Sequence, residues 1–217
     1  MSALEVKSLS SNAPGCSECG DACVVVDVAA GTVVCVVDGL GHGPEAAAAA
    51  GAALEIVKTH AFLALPQLFE RVHEGLRKTR GVVMSIALVD DAASLTWLGV
   101  GNVEGAVIGA HGRAPRQRDG TRSARGNGAA RASLMTRGGV VGYKLPPLRA
   151  STTSFGHGDT LLFATDGLTS GFHSLVDDRP LEDLAQRILA GFTKGDDDAL
   201  ICVARRSPIE ECSGVPS

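Results

Sequence analysis

The order of elements along the chain predicts an α+β fold in which helices pack on antiparallel sheets, and two observations carry that expectation. Strand-like runs come in blocks, two before the first helical segment and three after the second, whereas strict alternation of strand and helix would imply a parallel, doubly wound sheet. The chain has 217 residues, 45% hydrophobic and 20% charged, enough for one sizeable core but short for two. A single domain over residues 1–206 is therefore expected, with residues 207–217 as a C-terminal tail.

The runs Ala22 to Val28 and Val33 to Val37, separated by the turn-forming Ala30 and Gly31, read as a hairpin of two largely buried strands. Pro44 and Glu45 then open an alanine-rich helix to about Leu65, with proline suited to a first helical turn and glutamate complementing the N-terminal dipole. A second helix is predicted from Pro66 to Thr79, because Leu68, Phe69, Val72 and Leu76 share one face. Val82 to Val89, Ser94 to Leu98 and Val103 to Ile108 follow as strands joined by short turns, an antiparallel meander. Further strands are expected at Leu148 to Ser154, Thr160 to Ala164 and Leu200 to Ala204, with a helix from Pro180 to about Ala190.

From His111 to Gly139 the pattern breaks: seven arginines stand against one acid, Asp119, with no aromatic residue. The segment reads as a basic flexible loop at about 112–137, either a solvated insertion or a docking surface for an acidic or phosphorylated partner.

Composition narrows the function. A net charge of −4 argues against a protein committed to nucleic acid, and no apolar run approaches the ~20 residues of a membrane span. Met1 to Gly15 lacks the basic start and apolar stretch of a secretory signal, so a cytoplasmic location is expected. Few aromatics leave no obvious exposed apolar patch, and a monomer is the default. Of six cysteines, Cys35 and Cys202 lie in apolar strands, which favours reduced thiols over a disulfide scaffold. Cys16, Cys19 and Cys23 form a C-x2-C-x3-C cluster, but no matching ligand pair elsewhere completes a zinc site.

The chemistry lies in the acids. Val33 to Gly39 and Leu161 to Gly167 share a layout, a buried strand ending in Asp-Gly, at Asp38 and Asp166. Asp-Gly alone is a hairpin turn signal. Here Asp38-Gly39 is followed by Leu40-Gly41-His42-Gly43 and a helix rather than a returning strand, which puts the carboxylate beside a helix N-terminus. Asp21 precedes the first strand and Asp196-Asp197-Asp198 the last, so four acidic positions stand at strand edges. Magnesium and manganese take oxygen ligands, and two such ions held close together need several carboxylates from different strands. A solvated turn is the alternative reading of Asp196 to Asp198.

In order, Gly20-Asp21, Asp38-Gly39-Leu40-Gly41-His42-Gly43, Ala164-Thr165-Asp166-Gly167-Leu168 and Asp197-Asp198 resemble the metal-dependent type-2C protein phosphatases over nearly the whole chain. The DGLGHG form is similar to the bacterial SpoIIE/RsbU/RsbX branch, and the free-standing layout, with Gly138 to Tyr143, is most similar to the stand-alone stressosome type represented by RsbX. The resemblance implies a β-sandwich flanked by helices on both sides, with two Mn2+ or Mg2+ ions at one end. It implies that Asp38 bridges the two ions, that the Gly39 carbonyl and Asp21 complete one, that Asp166 and Asp197 hold the other, and that water activated there attacks phosphorus in line. His42 becomes a candidate proton donor to the leaving seryl oxygen, against the alternative that it only shapes its turn. Asp198 in place of Asp197 remains open, since neighbours on a strand point to opposite faces.

The implied function is a protein serine/threonine phosphatase acting on a phosphorylated regulatory protein, of the stressosome scaffold kind, in bacterial stress and sigma-factor signalling. The eukaryotic branch grips phosphate with an arginine near the N-terminus, whereas the only early cation here is Lys7. An inactive binding module on the same fold is one alternative. A small-molecule phosphatase with an aspartyl nucleophile is another, although it wants a second acid two residues on, where Leu40 stands.

Overall fold

The computed structural model describes residues 4–110, 115–116 and 131–207. Along the chain come β1 (Leu4–Ser11), β2 (Asp21–Val28), β3 (Gly31–Gly39), α1 (Pro44–His60), α2 (Leu65–Gly75), β4 (Val82–Val89), β5 (Ser94–Val100) and β6 (Glu104–Ile108). They are followed by β7 (Arg131–Leu134), β8 (Ser151–Ser154), β9 (Thr160–Ala164), a short 3-10 turn at Phe172–Leu175, α3 (Leu181–Phe192) and β10 (Ala199–Arg206). The strands form two five-stranded sheets, ordered β1-β10-β9-β6-β7 and β2-β3-β4-β5-β8, and every strand pairing within them is antiparallel.

The near-continuous apolar runs of β3 and β10 follow from burial on both faces. Val34 and Val36 point between the sheets, while Val33, Cys35 and Val37 pack under α1 and α2. In β10, Leu200, Cys202 and Ala204 enter the inter-sheet core and Ala199, Ile201 and Val203 meet α3. Three apolar clusters thus stack as helix, sheet, sheet, helix, the sandwich flanked on both sides that the resemblance implied. The alanines of α1 serve this packing: Ala46, Ala49, Ala50 and Ala53 are all buried, letting the helix lie close on β2 and β3.

One expectation needs correction, and two strands were not foreseen. Val82 to Ile108 is not a single meander, because β4 and β5 pair in one sheet whereas β6 pairs with β7 and β9 in the other. The chain crosses between sheets at Gly101-Asn102, and period-2 hydrophobicity carries no information about which sheet a strand joins. β1 was not foreseen; it is an edge strand whose alternating burial over Leu4 to Ser11 is diluted by three serines. Of the basic loop expected at 112–137, Arg131–Leu134 is strand β7, and its remainder lies outside the described residues except for 115–116 and 135–137. The tail expected at 207–217 also lies outside them apart from Ser207.

Candidate metal centre

The register of β2 on β3 sets Asp21 directly opposite Asp38, the first residue of one strand facing the last side chain of the other. In the second sheet β9 pairs with β10, so Asp166, just past β9, and Asp197, just before β10, emerge at one end of that pair. The sandwich brings the two ends together, and one cleft is lined by Asp38, Asp166, Asp197, Leu40, Gly41, His42, Val83, Asn102 and Val140. Both Asp-Gly glycines are demanded by close backbone approach: a methyl group on Gly39 would strike the carbonyl of Ala46 in α1, and one on Gly167 the carbonyl of Asp198. The repeated motif therefore marks two strand ends that abut another backbone, not two hairpin turns.

Asp21 is buried and accepts the hydroxyl of Thr165 at 2.6 Å; Asp38 lines the cleft. Burial, with Asp198, Asp166 and Asp197 adding to it against the opposing Thr165 bond, pushes Asp21 up to about 7. Burial, then Asp21, Asp166, Asp197 and Asp198, pushes Asp38 up to about 8. Among the described residues that line the cleft there is no lysine or arginine to offset these charges. A crowd of carboxylates, with Asp21 buried, Asp38 half-buried and Asp166 and Asp197 exposed, is relieved by protons or by a hard cation with oxygen ligands, and the donor set fits magnesium or manganese. Among the described residues no three acidic, histidine or cysteine side chains are drawn into a closed ligand set. Three of the candidate carboxylates are instead held by protein donors, Asp21 by the Thr165 hydroxyl, Asp166 by the Asn102 amide and Asp197 by the backbone N–H of Asp198 at 2.8 Å.

The expected residues divide as follows. Asp38, Asp166 and Asp197 share the cleft, Asp21 lies behind Asp38, and Gly39 sits at the strand end beside α1. Asp198 is buried and turned inward, accepting the amide N–H of Ala13 at 2.7 Å and of Gly20 at 2.8 Å, so its carboxylate braces the chain before Asp21. His42 is at the exposed rim, its Nδ1 3.6 Å from Sγ of Cys16. The three clustered cysteines do not converge: Cys19 reaches the Ser11 carbonyl at 3.9 Å, and Cys23 turns into the core toward Cys202. Lys7 is ion-paired with Glu182 of α3 at 3.5 Å, on the helix-covered face of its sheet and not in the cleft.

Sequence reading missed Asn102, whose side-chain amide donates to Asp166 at 2.7 Å. In the sequence it is one residue of a glycine-flanked turn; only the crossing of the chain between sheets puts it over the second carboxylate.

The four-layer sandwich with carboxylates at one end defines the class, a fold of the type-2C protein phosphatase kind. The chain belongs to the family of stage II sporulation protein E (SpoIIE), whose model matches residues 29–207. A solved structure from work on the bacterial stressosome, described as a modular system adapted to control secondary messenger signaling, is 30% identical with a TM-score of 0.80, covering 94% of this chain and 100% of that one. RsbX in complex with magnesium is similar in fold at 20% identity and a TM-score of 0.78, covering 94% of this chain and 96% of that one. The phosphatase domain of SpoIIE from Bacillus subtilis, with a fragment of its regulatory domain, is similar in fold at 15% identity and a TM-score of 0.71, with 95% and 64% covered. A comparison with curated protein sequences returns no significant match.

Proposed function

We propose that this protein is a metal-dependent phosphatase for phosphoserine or phosphothreonine on a regulatory partner protein of bacterial stress signalling, acting in the cytoplasm as a monomer. The observation that carries the reading is the gathering of Asp38, Asp166 and Asp197 from two sheets onto one cleft, with Asp21 opposite Asp38. The stressosome structure, at 30% identity over its whole length, supports a partner of the stressosome scaffold kind, and RsbX supports magnesium as one choice of ion. No helix among the described residues is long and apolar enough to cross a membrane.

Asp38 would hold both of two Mn2+ or Mg2+ ions, Asp21 and the Gly39 carbonyl would complete one, and Asp166 and Asp197 the other. When bound, such a pair supplies the Lewis acidity that makes water a nucleophile toward phosphorus at neutral pH. Thr165 and Asn102 fix the orientations of Asp21 and Asp166 through their hydrogen bonds. His42, at the rim, would pass a proton to the departing seryl oxygen.

The test is hydrolysis of p-nitrophenyl phosphate and of a phosphoserine protein, with manganese or magnesium and then with chelator. Turnover of both substrates that stops on chelation is expected. Turnover that survives chelation removes the metal assignment, and silence on both substrates with metal present favours a binding module.

A further inference from the structure

A phosphate monoester carries two negative charges, and a guanidinium meets it well through two parallel hydrogen bonds. The cleft has no such group among its described lining residues, and Lys7 is engaged elsewhere. One guanidinium does lie against the cleft wall. Arg80 immediately precedes Gly81, whose carbonyl accepts the N–H of Leu40 at 3.1 Å, so its backbone is tied to the Leu40-Gly41-His42 segment. Its side chain crosses Gly41: a methyl group there would lie 2.9 Å from one Nη of Arg80. The other Nη pairs with Glu45 in the first turn of α1. This ion pair is half exposed, with side-chain accessibilities of 51% and 70%, and a pair of that kind adds little to stability. Exchange of Glu45 for a doubly charged ligand is therefore easy.

We propose that Arg80 is a phosphate-binding residue of this cleft, its guanidinium leaving Glu45 to grip the non-bridging oxygens of the phosphorylated side chain. The proposal rests on the phosphatase reading above and names the phosphate partner that the sequence left open.

The experiment compares the wild-type protein with Arg80→Ala, Arg80→Lys and Glu45→Gln, loaded with magnesium. It measures kcat and KM for p-nitrophenyl phosphate, inhibition by inorganic phosphate, and calorimetric binding of inorganic phosphate without substrate. Arg80→Ala is expected to raise KM and weaken phosphate binding about tenfold, a loss of charge-assisted hydrogen bonding. Because the guanidinium meets phosphate before and during the reaction, kcat changes little. Arg80→Lys recovers part of the affinity, and Glu45→Gln, which breaks the same ion pair but keeps the guanidinium, binds phosphate as well as the wild type or better.

Unchanged phosphate affinity in Arg80→Ala overturns the proposal, and so does a Glu45→Gln protein as weak as Arg80→Ala. Arg80→Gln gives the same reading should the alanine variant melt early. A wild-type protein that turns over nothing defeats the phosphatase reading separately. The calorimetric comparison still decides the role of Arg80 in that case, and absence of phosphate binding by the wild type overturns it.

Discussion

Asp198 accepts the backbone N–H of Gly20 through Oδ2 at 2.8 Å, tying the approach to the last strand to the residue that leads into Asp21. Its other oxygen takes the N–H of Ala13 at 2.7 Å. Neighbouring acids thus have opposite work: Asp198 holds the backbone from inside while Asp197 lines the cleft. Asp198→Ala leaves two amides without their acceptor and is expected to cost about 3 kcal/mol of stability. Asp197→Ala is expected to stay within about 0.5 kcal/mol of wild type yet lose turnover. Thermal melts alongside an activity assay check both; equal loss of stability in the two variants would remove the division of labour.

The metal-free protein is expected to weaken as pH rises. Asp21 and Asp38 are pushed up to about 7 and about 8, chiefly by burial, whereas both titrate near ~3.9 in an unfolded chain. A raised folded pKa means that the folded state holds its proton more tightly. The resulting stability is complete below the unfolded value and lost as pH rises through 7 and 8. Melting temperature in chelator should therefore fall between pH 6 and pH 9, and magnesium, which binds the deprotonated carboxylates, should raise it more at pH 9 than at pH 6. A flat profile in chelator would show that burial does not raise the two acids.

Asp38→Asn removes one charge from that crowd. It is expected to flatten the same pH profile and to abolish turnover while the fold persists, as circular dichroism would show. Near wild-type activity would refute the bridging role.

Asn102 orients Asp166 through the hydrogen bond its side-chain amide donates. Asn102→Ala is expected to raise the magnesium concentration needed for half-maximal activity by roughly tenfold, with saturated turnover little changed. A magnesium titration of wild type and variant decides it, and superposable curves would leave Asn102 a turn residue only.

His42 is separable from the metal site by leaving group. The p-nitrophenolate ion departs without a proton, whereas a seryl alkoxide needs one. If His42 supplies it, His42→Ala loses roughly a hundredfold in kcat on a phosphoserine peptide and only a few-fold on p-nitrophenyl phosphate. Equal losses on the two substrates would leave His42 a shaper of its turn.

By itself the sequence determined the block order of strands and helices, the two Asp-Gly strand ends, and the four acidic positions with their likeness to the phosphatases. Those are local properties: hydrophobic period, turn chemistry and short motifs are written in neighbouring residues. Tertiary structure alone decided that Val82 to Ile108 is split between two sheets, that Asp197 and not Asp198 faces the cleft, that Asn102 covers Asp166 and that Arg80 lies across Gly41. Each of these depends on which strand pairs with which and on the register of that pairing. Such choices are set by the summed burial of three apolar clusters far apart in the chain, and no local pattern encodes them.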